Sequence, residues 1–92
     1  MRRGRDTDPD VLAGFGVWLR ADGCAVSTVR AYGTVAGEFL AFIASRGGLA
    51  GLDGAVIGAF VTTLAGYAPK TVEHKLCAVR SVLRFAATDG LI

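Results

Sequence analysis

The residues of this chain that could do metal or nucleophilic chemistry are few and scattered. His74 is the only histidine, Cys77 follows it three residues later, and Cys24 is the only other cysteine. A structural zinc site takes four ligands, so these three side chains would need a distant carboxylate to complete it. A nucleophilic Cys–His pair needs a third residue to orient the histidine, and the sequence indicates none. We therefore predict no metal site, no cofactor and no catalytic residue.

The segment from Ala68 to Phe85 offers a different chemistry, that of a cationic helix. Its sequence, APKTVEHKLCAVRSVLRF, has a proline at the first helical position. At about 100° per residue, polar side chains gather on one side. They are Lys70, Glu73, His74, Ser81 and Arg84, with Lys75 and Arg80 at the edges. The opposite side is apolar and is predicted to pack against other helices; it consists of Val72, Leu76, Val79, Leu83 and Ala86.

The first turns of this helix suit nucleic acid. A helix N-terminus presents free N–H groups and partial positive charge, which attract phosphate. Lys70, Thr71, His74 and Lys75 cluster there. An α-helix fits the DNA major groove, where cations meet phosphates and hydroxyl or imidazole groups meet base edges. A basic helix face is also commonly a solvated surface, so charge alone leaves both interpretations open.

Composition and charge limit the class of protein. The 92 residues are 52% hydrophobic, which predicts one small domain with a single core. No apolar run approaches the roughly 20 residues of a membrane span, and no secretory signal is visible. Two cysteines make no disulfide framework, so we expect a cytoplasmic protein with free thiols. Residues 1–5 carry a charge of +3, residues 6–68 carry −3 and residues 69–92 carry +2.

Four helices must position these residues. Apolar periodicity, start signals at Asp8, Ser27, Asp53 and Pro69, and glycine stops predict helices at about 9–22, 27–46, 53–65 and 69–88. We predict an all-α, compact four-helix bundle. Its single core should contain Trp18, Tyr32, Phe39, Phe60, Leu76 and Leu83. Residues 1–7, with Arg2, Arg3 and Arg5, have no apolar anchor and are expected to form a disordered basic tail that attracts phosphate.

Small residues line one side of the second helix, at Gly33, Gly37, Ala41 and Ala44. Two interpretations are open. The glycines could let another backbone approach closely, or they could be tolerated losses of surface side chains, each costing about 1 kcal/mol relative to alanine. We favour the second. The first supports an alternative function, a protein-interaction bundle that docks a partner helix on the Gly33, Gly37 and Ala41 face.

Two long segments resemble a known family. STVRAYGTVAGEFLAFIASRGG and APKTVEHKLCAVRSVLRFAATDGLI are similar to the N-terminal core-binding domain of tyrosine recombinases and phage integrases. The matching residues are Ser27–Thr28, Ala31–Tyr32, Phe39–Phe42, Pro69–Val72 and Leu76–Ser81 with Phe85. Their order and spacing carry the resemblance, since each short match is unspecific. The resemblance covers nearly the whole chain from residue 8 to residue 92.

The resemblance implies a SAM-like four-helix domain that clamps duplex DNA and supports DNA integration or recombination. Its second and fourth helices would approach the major groove. The implied DNA-binding residues are Ser27, Thr28, Arg30, Lys70, Thr71, His74, Lys75, Arg80 and Arg84. For Arg80 and Arg84 an alternative stays open, that they pair with acids within the domain.

In such proteins the catalytic residues belong to a following domain. The chain ends at Ile92, about where the linker to that domain would begin, so we expect a non-enzymatic fragment. Its expected partners are duplex DNA and the missing catalytic domain, and the isolated domain is expected to be a monomer. Tyr32 and Tyr67 are not expected to be nucleophiles. The small residues after Tyr32, and Ala68 at a helix start, depart from the family pattern and predict weak DNA binding.

Overall fold

A computed structural model describes the backbone of residues 8–92 and the side chains of residues 10–92. Four α-helices follow one another: α1 Asp8–Ala21, α2 Val26–Ala44, α3 Gly54–Thr62 and α4 Pro69–Thr88, with a short 3-10 turn at Leu49–Gly51 before α3. No strand occurs in residues 8–92, and the predicted all-α four-helix bundle is confirmed. The predicted disorder of residues 1–7, with Arg2, Arg3 and Arg5, lies outside the described residues.

Local chemistry explains most of the helix boundaries. The Asp53 carboxylate accepts a hydrogen bond from the Val56 N–H at 3.0 Å, which caps α3. Pro69 opens α4 at a position where its missing N–H costs nothing. Gly23, Gly47 and Gly90 follow helices and have φ values of 89°, 97° and 76°, a region that glycine adopts without strain.

The prediction that Ser27 caps α2 is wrong. The helix begins one residue earlier, at Val26, and Ala25 occupies the capping position without a side-chain hydrogen bond. Ser27 therefore lies in the first turn with its side chain exposed. The third helix also ends earlier than predicted, at Thr62, because residues 63–66 form turns. Both differences are local and leave the order of helices unchanged.

The central helix is α2, which packs against the other three helices. An aromatic group joins α1 to α4: the Phe15 and Phe85 ring centroids lie 5.8 Å apart, and Trp18 and Phe85 lie 5.9 Å apart. Gly14 makes this approach possible, because a Cβ there would lie 3.0 Å from Cζ of Phe85. The ring of Phe60 attaches α3 to α2 through Phe39, at 5.1 Å.

The predicted core is confirmed in part. Phe39 and Phe60 are buried. The other four predicted core residues are only partly buried and pack against the core from outside: Trp18, Tyr32, Leu76 and Leu83. For α4 the reason is rotation. Its fully buried residues are Ala78, Val79, Val82, Phe85 and Ala86, so the side facing the bundle is turned from the predicted stripe. The apolar side chains of α4 extend over a wider arc than the neighbouring helices cover, so some of them stay partly exposed.

No helix within residues 8–92 has both the length and the hydropathy that crossing a membrane requires.

Candidate nucleic-acid interface

The N-terminal halves of α2 and α4 meet through two rings. Tyr32 on α2 and His74 on α4 have centroids 5.4 Å apart, with the rings inclined at 61°. Thr28 lies one turn before Tyr32, and Lys70 lies one turn before His74, so each shares a helix side with the ring residue that follows it. We call Thr28, Tyr32, Lys70 and His74 the junction surface.

The junction surface is accessible. Lys70 and His74 are exposed, whereas Thr28 and Tyr32 are half-buried. Among the described residues, neither Lys70 nor His74 forms an ion pair or a hydrogen bond through its side chain. Tyr32 was predicted to be a core residue, but its ring lies at the edge of the core and supports His74. The surface therefore offers one free ammonium group and one free imidazole group to a ligand.

The start of α4 adds backbone donors to this surface. Ala68 provides no side-chain cap, and the first intrahelical hydrogen bond runs from the Val72 N–H to the Ala68 carbonyl at 3.0 Å. Pro69 has no N–H, so Lys70 and Thr71 carry the N–H groups of the first turn that have no intrahelical acceptor. A phosphate or water can accept from them, and the helix dipole favours the anion.

Lys75 lies in a different environment from the one expected of a DNA contact. Its side chain is 11% exposed, and Nζ donates to Oε1 of Glu38 on α2 at 2.8 Å. The same ammonium group lies 4.8 Å from the centroid of the Tyr67 ring. Lys75 is one position beyond His74 and turns toward α2. Its charge is therefore already balanced by an acid of the domain.

Sequence reasoning missed two of these contacts. Glu38 was assigned no role, although it is the only acidic residue of α2. An acid on a helix predicted to pack beside a lysine-bearing helix was the signal that could have revealed the pair. The contact of Tyr67 with Lys75 could not be predicted, because nothing in the sequence of a turn indicates which ring approaches which cation.

The other predicted site residues are spread around the two helices. Ser27 and Arg30 are exposed on α2, and Thr71 is half-buried on α4. Arg30 precedes Tyr32 by two residues, which places it roughly 160° away around the helix axis. It therefore does not join the Tyr32–His74 contact directly. The structure brings the α4 cations beside α2, but it leaves Arg30 on the outer side of that helix.

Arg80 and Arg84 are exposed and make no ion pair with any acid of the described residues. The alternative that they pair with acids within the domain therefore finds no support in residues 8–92. Arg80 borders a groove on the flank of α4, together with Tyr67, Val72, Leu76 and Cys77. Arg80 follows His74 by six residues, which places it roughly 120° away around the helix axis. Arg80 therefore lies outside the junction surface.

The small-residue side of α2 is not used inside the bundle. A Cβ at Gly33 would meet nothing within 4 Å, and one at Gly37 would meet only Cδ1 of Leu12, at 3.8 Å. Neither position has another helix's backbone against it within the described chain. The interpretation of these glycines as tolerated losses of side chains agrees with this geometry.

The metal-capable side chains do not converge. Within residues 8–92, no group of three or more His, Cys, Asp or Glu residues is close enough to hold a metal ion. Cys24 and Cys77 are both free and half-buried.

Comparison with known proteins adds no relative: the chain matches no protein-family model, no curated protein and no solved structure. Function is therefore inferred from the described side chains of residues 10–92. Their surface has the exposed Lys70 beside the contact between Tyr32 and His74, and a balanced Lys75 at its margin.

Proposed function

We propose that residues 8–92 bind duplex DNA through the junction surface. The observation that carries this proposal is the contact of Tyr32 with His74, which sets the polar first turns of α4 against α2. Lys70 and His74 are exposed beside this contact and have no competing partner in the described part of the chain. An α-helix with cations at its N-terminus can enter the major groove and neutralise phosphates at the groove edge.

The proposed role is that of a SAM-like core-binding domain in a site-specific tyrosine recombinase or phage integrase. The resemblance of residues 27–48 and 68–92 to that family supports it, together with the four-helix architecture. In this role the domain supplies binding energy and orientation. Catalysis belongs to a separate domain, and the working compartment is the cytoplasm, where the DNA substrate lies.

The DNA contacts fall into two groups. Lys70, Thr71 and His74 form the central group, because they share the start of α4 with its free N–H groups. The outer group would contact phosphates at the margins; it consists of Ser27, Thr28, Arg30, Lys75, Arg80 and Arg84. Few of the central residues are charged, so we expect weak binding with a shallow salt dependence, since the slope scales with the number of phosphates neutralised.

A salt titration tests the proposal. Anisotropy of a labelled duplex should be followed as the domain is added, at several salt concentrations from about 50 mM to about 200 mM. Counterion release predicts that log K falls linearly with log salt, with a slope of about −0.9 per phosphate neutralised. Amide shifts on adding the duplex should cluster at residues 27–32 and 70–75. Absence of binding at the lowest salt concentration would refute the proposal.

The alternative function, docking of a partner helix, has one observation in its favour. The backbone at Gly33 is open, since a Cβ there would meet nothing within 4 Å. Under this alternative, amide shifts would follow Gly33, Gly37, Ala41 and Ala44 when a protein partner is added. The affinity would change little with salt, because apolar contact does not release counterions. The same titration therefore separates the two functions.

A further inference from the structure

Glu38 and Lys75 form an ion pair across the packed helices α2 and α4. Nζ of Lys75 lies 2.8 Å from Oε1 of Glu38, and their side chains are 11% and 48% exposed. The lysine is thus nearly enclosed, with the Tyr67 ring on another side at 4.8 Å, while the carboxylate stays in contact with solvent. The outward-facing member of the pair is the acid.

This arrangement has an electrostatic consequence for the junction surface. Lys75 directly follows His74, so its ammonium group lies in the segment that would meet phosphate. The carboxylate of Glu38 cancels that charge at hydrogen-bonding distance. The pair has no net charge, but its exposed end is the carboxylate, so an approaching phosphate meets the negative end first.

We propose that Glu38 limits the affinity of the junction surface for DNA by holding Lys75 in this pair. The inference rests on the proposed function and assigns a regulatory role to a residue of the same surface. A phosphate can engage Lys75 only after the lysine leaves Glu38 and the Tyr67 ring. Glu38 is a positioning residue, because it acts on DNA through Lys75.

The test is the substitution Glu38→Gln, which keeps the length of the side chain and removes its charge. DNA affinity at about 50 mM salt should rise about three- to tenfold, and the salt slope should become steeper by about one unit. The matched control is Glu73→Gln. Glu73 is exposed on α4, and it is not ion-paired within the described residues, so this variant makes the same change in net charge without releasing Lys75.

A double variant isolates the role of Lys75. In Glu38→Gln with Lys75→Gln, the gain in affinity should disappear, because no ammonium group is left to release. Equal gains in Glu38→Gln and Glu73→Gln would overturn the inference, as would a gain that persists in the double variant. Glu38→Ala gives a second measurement if the glutamine variant is poorly folded, since alanine favours helix.

The outcomes also separate this inference from the proposed function. If neither the wild-type domain nor any variant binds the duplex, both fail. If the wild-type domain binds in a salt-dependent manner and Glu38→Gln leaves affinity and slope unchanged, DNA binding stands and the role of Glu38 is refuted. Weak binding by the wild-type domain with a gain in Glu38→Gln alone supports both.

Discussion

The two halves of α4 are attached to the bundle by different kinds of contact. The C-terminal half packs Phe85 against both Phe15 and Trp18, with ring centroids 5.8 Å and 5.9 Å away, and its exposed fraction is 5%. The N-terminal half is attached by the edge contact of Tyr32 with His74 and by the ion pair of Lys75 with Glu38. The C-terminal half contributes most of the buried residues, whereas the N-terminal half combines partly buried Val72 and Leu76 with polar contacts near the surface.

The difference separates stability from binding along one helix. Burial of an aromatic ring contributes several kcal/mol, and ring pairs add about 0.5–1.5 kcal/mol more. A partly exposed ion pair contributes about 0–1 kcal/mol, because the cost of desolvating the enclosed lysine and the solvation of the exposed carboxylate offset most of their attraction. Stability should therefore depend on the C-terminal half of α4. The N-terminal half can then carry groups that serve a ligand at little cost to the fold.

The largest expected effect comes from Phe85→Ala. Removing this ring leaves a cavity between α1 and α4, so the free energy of unfolding should fall by about 3–5 kcal/mol. Denaturant unfolding followed by circular dichroism measures the change. The matched control is Leu76→Ala on the N-terminal half, where the side chain is only partly buried and lines the open flank groove. A loss for Leu76→Ala equal to that for Phe85→Ala would contradict the division of α4 into two halves.

The next effect compares two glycines. Gly33→Ala should raise the free energy of unfolding by about 0.5–1 kcal/mol, since alanine favours helix and its Cβ meets nothing within 4 Å. At Gly14 the new Cβ would lie 3.0 Å from Cζ of Phe85, a buried ring with little room to move. Gly14→Ala should therefore lose that gain and destabilise the domain by about 1 kcal/mol or more. Thermal melts of the two variants measure this difference in stability. Equal stabilisation by both substitutions would show that α1 and α4 do not pack closely at Gly14.

A smaller effect on stability separates two lysines of α4. Lys75→Ala removes the partner of Glu38, which should lower the free energy of unfolding by about 0–1 kcal/mol. The variant also loses the contact of the ammonium group with the Tyr67 ring. Lys70→Ala should leave the thermal midpoint unchanged, because Lys70 is exposed and has no ion-pair partner among the described residues. Raising the salt concentration should narrow the gap between the variants, since salt screens the ion pair. Equal midpoints would mean that the pair contributes nothing to the fold.

The last comparison is of similar size but is measured on DNA binding and not on stability. Lys70→Ala should lower the affinity for duplex about three- to tenfold and reduce the salt slope by about one unit. Arg80→Ala, which removes an equal charge on the flank of the same helix, should have a weaker effect. Arg80 borders the groove beside Leu76 and lies roughly 120° from His74 around the helix axis. A larger loss for Arg80→Ala in the same anisotropy titration would move the DNA contact from the junction surface to the flank.

Much of the fold follows from local signals that act within one or two turns. Asp53 could be identified as a cap and Pro69 as a helix start, because both effects depend on neighbouring backbone groups alone. Phe39 and Phe60 could be placed in the core from their periodicity, and they are buried. Ser27 shows the limit of such signals. Ser27 is a favourable capping residue, but the helix starts at Val26.

The candidate site was predictable at the level of segments. The clustering of Lys70, Thr71 and His74 is a property of the sequence of α4 and needs no partner helix. Whether each lysine is exposed or enclosed could not be predicted in the same way. Lys70 is exposed and Lys75 is nearly enclosed, although both belong to the same run of polar residues. The difference arises from the position of α2. Glu38, which pairs with Lys75, lies on that helix and is 37 residues away in the sequence.

The sequence by itself determined the number, order and approximate ends of the helices and the cationic start of α4. Only the tertiary structure decided how α4 is rotated about its axis. Ala78, Val82 and Phe85 are buried, whereas Leu76 and Leu83 are only partly buried. The apolar side chains of α4 extend around a wide arc, and any part of it could face the bundle. The choice falls on the part that contains the small Ala78 and the ring of Phe85, for which Gly14 leaves room, because close packing depends on the shapes of both surfaces.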